Sequence, residues 1–271
     1  MYSGTTFRTR SGRMMGVHQK IDRVAYRHIK KRVPRTLRFP KLHDMLHFEG
    51  LNGPDGVKRK SPAVDEPWHY IDPTDPEDRA LLQMINDHIY NMAVSLRDKN
   101  VERAAFEAAW MAHAIVDGLT PAHHYPLEAK LEELRGGEGL ETRVSTREKL
   151  VLPGKTRRHQ LRNNWEYWGA KGVMTTHLAF ELGVATTIVP LRFDDTEPSK
   201  QEYDHVKAEG FEPTFYAMLH QIADMDMYKE FSRTGWTRKM AAETRETLVP
   251  LVVKAVTLAW YSAIQKAREQ E

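Results

Sequence analysis

Ala112-His113-Ala114-Ile115-Val116-Asp117-Gly118-Leu119-Thr120-Pro121-Ala122-His123-His124 is the run that decides the fold. It closes an apolar, helix-favouring segment that starts near Ala104, and Gly118 with Pro121 breaks that helix. Residues four apart lie on one helix face. His113 and Asp117 can therefore converge on one cation, and the turn after Gly118 lets His123 come back to the same neighbourhood from a second segment.

Helical spacing recurs on both sides of this run. Over 13–31, Val17, Ile21, Val24, Ala25 and Ile29 fall on one face, and Val33-Pro34 ends the pattern. Leu81, Ile85, His88, Met92 and Leu96 form the next largely apolar face, and after a break at Asp98-Lys99-Asn100 a helix over 104–117 follows. Further helices are expected over 173–188, 213–228 and 238–268. Between the first two lies 38–76, rich in Pro, Gly and Asp, read as a long ordered loop with one short helix near 41–48. A loop of that length in a compact domain is either functional or disordered, and the His43, His47, Asp55 and His69 that it carries favour function. The stretch 136–172 has paired glycines, the basic run Lys155-Thr156-Arg157-Arg158-His159, and Trp165, Tyr167 and Trp168, with little sustained periodicity. No repeat and no strand-rich block is visible. The expected fold is all-α: one helical bundle spanning 1–271, with long inserted loops.

Composition narrows the chemistry. A chain of 271 residues can bury a sizeable core. Its 40 Lys and Arg exceed its 37 Asp and Glu by three, which is no polyanion-binding signature for the molecule as a whole. Cysteine is absent, which removes disulfides, thiolate zinc sites and thiol nucleophiles together and leaves His, Asp and Glu as metal ligands. Thirteen histidines then stand out. The first sixteen residues are polar and basic without an apolar stretch, so a cytoplasmic address is expected. The apolar run 248–263 contains Pro250 and Lys254 and falls short of the roughly 20 apolar residues a membrane span needs. It is expected to be a core helix, with no transmembrane segment and no protein partner evident.

A second His/acid pair, His177 and Glu181, repeats the same-face geometry. A single such pair is more often a surface contact or a satisfied core histidine than a ligand, and His205 with Glu209 and His220 with Asp224 show how readily the spacing arises. Those two pairs are taken as structural, as is His88, which has no acidic residue three or four positions away. His43-Asp44-Met45-Leu46-His47 superficially matches a zinc-protease helix but has Asp where that motif needs Glu. His43-Asp44 could also be the dyad of an HD-type phosphohydrolase, although that leaves His113, His123, His177 and Glu181 without roles. Gly136-Gly137-Glu138-Gly139 lacks the preceding strand and the Lys-Ser/Thr of a phosphate loop.

His113-xxx-Asp117-xxx-Pro121-x-His123 followed by His177-xxx-Glu181 resembles the zinc-dependent phospholipase C family, whose superfamily includes the fungal zinc nucleases that cut single strands. Upstream, His18 in His18-Gln19-Lys20-Ile21-Asp22-Arg23-Val24-Ala25 is similar to the family's first ligand histidine. Gly53-Pro54-Asp55 is similar to its Pro-Asp, and His69-Tyr70-Ile71-Asp72-Pro73 to the His-aromatic-x-Asp-Pro that follows. The resemblance runs from His18 to Glu181, about three fifths of the sequence. It implies a cluster of two or three zinc ions. His69, His113 and Asp117, with Asp55 alongside, would hold the first; His123, His177 and Glu181 the second; and His18 would reach a third that shares Asp117 as a bridge. The residue matching Asp55 is implied as ligand, general base or both.

The implied activity is phosphodiester or phosphoester hydrolysis, in which a metal-activated water attacks phosphorus. The substrate could be a phospholipid headgroup ester, a nucleotide or single-stranded nucleic acid, or a soluble phosphoester. Another divalent ion could replace zinc in such a ligand set. The alternative from a different class is a catalytically inactive scaffold held together by its metals. Family members expose an N-terminal Trp whose amine and carbonyl complete the third site, whereas the first Trp here is Trp68, which leaves two ions or three. His177 stands 54 positions after His123, so 136–172 resembles an insertion. Its basic and aromatic residues suit a phosphorylated or nucleic-acid substrate, or a solvated loop.

Overall fold

The computed structural model describes residues 1, 16–60 and 69–269. These residues form α-helices joined by short turns, with no strand among them. In chain order the helices are α1 (Val17–Ile29), α2 (Leu42–His47), α3 (Pro54–Lys60), α4 (Ala80–Arg97), α5 (Val101–Gly118), α6 (Leu127–Leu134), α7 (Arg147–Leu150) and α8 (Arg157–Trp168). They continue with α9 (Val173–Ile188), α10 (Lys200–Glu209), α11 (Glu212–Ala223), α12 (Met227–Thr234), α13 (Arg238–Glu243) and α14 (Val249–Glu269).

The all-α expectation holds, and α5 explains why the candidate ligands sit on firm ground. Ala104, Ala105, Ala108, Ala109, Ala112 and Ala114 are all buried along α5. Their short side chains let α4 and α14 pack closely against the helix, and dispersion contacts grow as surfaces approach. Asn100 caps the N-terminus, its side chain accepting from Arg103 N at 3.1 Å. The fully buried Trp260 of α14 donates its indole N–H to the Ala108 carbonyl at 3.0 Å. At the far end, a Cβ on Gly118 would lie 2.5 Å from Leu81 Cδ2 and 3.2 Å from Phe215. Any larger residue would force the Leu81 and Phe215 side chains to shift where α4 and α11 close over the helix terminus beside Asp117.

The helix Arg238–Glu269 is long and apolar enough to cross a membrane, and 72% of its most apolar window is buried inside the fold. A π-helical turn at Thr244–Leu248 separates α13 from α14. Pro250 has no N–H to offer the carbonyl four residues earlier, and the widened turn absorbs that missing bond. A smaller cluster of Leu127, Leu131, Leu134, Leu152 and Tyr167 packs beneath α6 and α8, with Tyr70 and Tyr125 against it.

Three segments depart from the sequence expectation. The stretch 38–76 is not one loop: besides α2 it holds a 3-10 turn at Gly50–Asn52 and α3, and Asp55 sits in the first turn of α3 rather than on a loop. Pro54 opens that helix, where its missing N–H costs nothing. The part of that stretch at 61–68, with Trp68, lies outside the described residues. Within 136–172 the chain forms α7 and α8. The helix expected over 213–228 is two helices, α11 and α12, broken where Asp226 takes a left-handed φ of 51°.

Candidate metal centre

Six separate elements deliver the eight residues singled out from the sequence. α1 brings His18, α3 brings Asp55, the extended segment after it His69, α5 His113 and Asp117, the 3-10 turn Pro121–His124 His123, and α9 His177 and Glu181. All are buried except Asp55, whose side chain is 30% exposed. Backbone bonds fix the unusual pieces. His123 Nδ1 donates to the His69 carbonyl at 2.7 Å, and Ile71 N donates to the His123 carbonyl at 3.2 Å, so the two segments strap each other in place. Lys20 of α1 donates to the carbonyls of Ile188 and Val189 at the end of α9, at 2.5 and 2.9 Å, which ties the helix of His18 to the helix of His177.

Asp117 occupies the middle. Its Oδ2 lies 2.7 Å from His69 Nδ1 and 3.2 Å from His113 Nε2. Its Oδ1 lies 3.2 Å from His18 Nε2 and 3.5 Å from His123 Nε2. Glu181 Oε1 is 3.1 Å from both His123 Nε2 and His177 Nε2. Asp55 Oδ1 stands 3.9 Å from His113 Nε2. Three groups result, the first two sharing His113, each with its ligand atoms mutually within 4.8 Å: His18, His113 and Asp117; Asp55, His69 and His113; and His123, His177 and Glu181.

Two participants are invisible to sequence spacing. The amino group of Met1 donates to Asp117 Oδ1 at 2.5 Å and lies 3.4 Å from Glu181 Oε1. The Met1 carbonyl is 2.5 Å from His18 Nε2. The amine and the carbonyl of Met1 therefore lie beside Asp117 and His18. Glu49 is the other. Buried next to α2, it accepts from His113 Nδ1 at 2.9 Å and so turns the Nε2 of that ring toward Asp117. A carboxylate behind an imidazole in this way fixes the tautomer and makes the inward nitrogen a better ligand. The His69 carbonyl does the same for His123.

Charge is concentrated to an extent that folding alone does not reward. Burial would raise Asp117, but His123, the amino terminus, His113 and His18 outweigh it and hold the carboxyl well below its usual range. Burial likewise opposes ionisation of Glu181, and the amino terminus and His177 overcome it, again keeping the group well below ordinary values. Burial pushes His69 down to about 3 and His123 down to about 4, so both rings are neutral, the form that binds metal. His113 goes the other way: burial lowers it, yet Glu49 and Asp117 raise it well above the usual imidazole value. Burial and the nearby Glu49 raise Asp22, one turn after His18, well above a normal carboxyl.

The donor set fits a metal. It is all imidazole nitrogen and carboxylate oxygen, as zinc sites without cysteine require. Nε2 of His69 and Nε2 of His113 are buried with no hydrogen-bond partner among the described residues. Orphaned nitrogens of this kind are costly unless a ligand satisfies them.

The other histidines do not join the centre. His43 lies at the surface with its side chain 94% exposed and only Asp44 beside it, and His47 is also exposed. The His43-Asp44 pair thus stands outside the buried groups around Asp117. His88 does have an acidic partner, Glu107 of the adjacent helix at 2.5 Å, which its own helix could not reveal.

No protein-family model matches the chain, and no curated protein matches it in sequence. Among solved structures it is similar to the alpha-toxin of Clostridium perfringens from avian strain SWCP, with a TM-score of 0.59 and 12% identity. The similarity covers 96% of this chain and 66% of the toxin chain, so this chain spans somewhat under two thirds of its neighbour's length. At that identity the likeness is one of fold: the all-helical architecture seen here is shared with the toxin.

Proposed function

We propose that the chain is a zinc-dependent phosphoric-ester hydrolase of the phospholipase C type. The observation that carries this reading is the position of Asp117, which offers one carboxylate oxygen to His69 and His113 and the other to His18, His123 and the Met1 amine. A carboxylate so placed can bridge ions. His69, His113 and Asp117, with Asp55 alongside, would hold one zinc, and His123, His177 and Glu181 a second. His18, Asp117 and the amine and carbonyl of Met1 would hold a third. When bound, such ions supply Lewis acidity to phosphoryl oxygens and lower the pKa of water.

The chain's own groups do the rest. Asp55 is the one acidic side chain of the set that reaches solvent. Burial would raise its carboxyl, but the neighbouring His113 above all outweighs this and holds it below the usual range, so it stays ionised. It accepts the proton of the attacking water as the new O–P bond forms and the ester oxygen leaves. Glu49 and the His69 carbonyl keep the imidazoles of His113 and His123 pointed inward throughout.

The test is turnover of a generic aryl phosphodiester by the purified chain. Hydrolysis abolished by a chelator and restored by zinc is expected. Bound zinc without turnover would assign the metals to fold stability instead, and turnover that is indifferent to chelation would refute the metal mechanism.

A further inference from the structure

α8 is built inside out. It buries Asn163 and Tyr167, with Asn163 donating to the carbonyls of Leu134 and Pro153 at 2.8 and 2.9 Å. On the opposite face, Leu161 is 73% and Trp165 74% exposed, and Trp168, one turn further on, is also exposed. Trp168 Nε1 donates to the Leu150 carbonyl at 2.9 Å, which brings the exposed Leu150 of α7 to the same face. Of the nine strongly exposed large apolar side chains among the described residues, six lie between Val144 and Trp168. Apolar side chains gathered this way mark an interaction surface, whereas scattered ones need no explanation.

The same segment holds the chain's positive charge. Residues 144–172 contain seven Lys and Arg and two Glu, a larger excess than the +3 of the whole molecule. Both acids are engaged locally: Glu166 pairs with Lys130 at 2.6 Å, and Glu148 accepts from Val144 N at 2.8 Å. Lys155, Arg157, Arg158, Arg162 and Lys171 are exposed. None has a carboxylate partner among the described residues.

We propose that α7 and α8 form a docking surface for an anionic phospholipid bilayer. Leu161 and Trp165 would enter the boundary between headgroups and acyl chains while Arg158 and Arg162 reach the phosphates, as in amphipathic interfacial helices. The aliphatic side chains favour a bilayer over a nucleic acid, since Leu150 and Leu161 give nothing to base stacking. A second copy of the chain is disfavoured because the same positive excess would meet itself. The surface borders the centre: α8 packs on α9, which carries His177 and Glu181. Tyr167 of α8 shares a cluster with Tyr70, whose ring stacks on His123 at 5.0 Å. The inference does not depend on the centre being catalytic.

Flotation of the full chain with vesicles tests it. The chain is expected to rise with phosphatidylcholine vesicles containing about one third phosphatidylserine and to stay behind with phosphatidylcholine alone. Leu161→Ser with Trp165→Ser, and separately Arg158→Ala with Arg162→Ala, should each lower the bound fraction by about tenfold or more. All these residues are exposed, so thermal melting and hydrolysis of a soluble aryl phosphodiester without vesicles should match the parent chain, which separates a failed surface from a failed metal centre. No flotation with anionic vesicles, or undiminished flotation of both variants, overturns the proposal. So does single-stranded oligonucleotide binding that needs these residues in the absence of vesicle binding, or a dimer that the Leu161 and Trp165 changes dissolve.

Discussion

Asp117→Asn is expected to empty the whole centre rather than one corner of it. The wild-type carboxylate faces His69 and His113 with one oxygen and His18, His123 and the Met1 amine with the other. An amide removes the charge and presents N–H to one of these two groups, where only a donor or a cation belongs. Loss of a single orienting contact around a metal typically lowers affinity 10- to 100-fold, and a bridging ligand should cost at least about 100-fold. Elemental analysis of the purified variant should then find well under one zinc equivalent, with no measurable turnover. Metal retained at the parent level would show that Asp117 is not a ligand. The metal-free variant should also be less stable than the metal-free parent, because the protonated His113 and the Met1 amine lose the carboxylate that compensates them.

Asp55→Asn should behave differently. Asp55 is 3.9 Å from His113 Nε2 and partly open to solvent, while the other ligand candidates are packed in. As a general base it contributes to the proton transfer and little to holding the ions. The expected result is a fall in kcat of about 100- to 10,000-fold with KM nearly unchanged and most of the zinc retained. If metal and activity disappear together, Asp55 is mainly a ligand.

Much of the fold was legible because the core helices bury one face each. The spacing of α9 predicts Val173–Ile188, the bounds observed, and α4 and α5 end within a few residues of their apolar patterns. What escaped did so for identifiable reasons. In α8 the apolar residues at 161, 165 and 168 do have helical spacing, but the flanking arginines and asparagines mask it, and the buried face carries Asn163 instead of a hydrophobe. α10 does carry a local start signal, because Ser199 and Glu202 form a capping box ahead of it. α3 was hidden by Gly53 and Pro54, which mark a loop and a helix start equally well.

The centre divides in the same way. His113 with Asp117 and His177 with Glu181 are local pairs, one helix turn apart, and sequence spacing can propose them. Glu49 is 64 positions from His113, and Met1 is 116 from Asp117. No periodicity links such residues, and only the packing of α1, α2 and α5 brings them together. The pairing of His88 with Glu107 is hidden for the same reason, since the partner lies across a helix hairpin.

The most direct test of the account is a crystal structure of the zinc-loaded chain with anomalous data at the zinc edge. Three ions are predicted around Asp117: one held by His69, His113 and Asp117 with Asp55 alongside, one by His123, His177 and Glu181, and one by His18, Asp117 and the amine and carbonyl of Met1. A map in which no ion touches Asp117, or in which these residues hold no zinc, would contradict it.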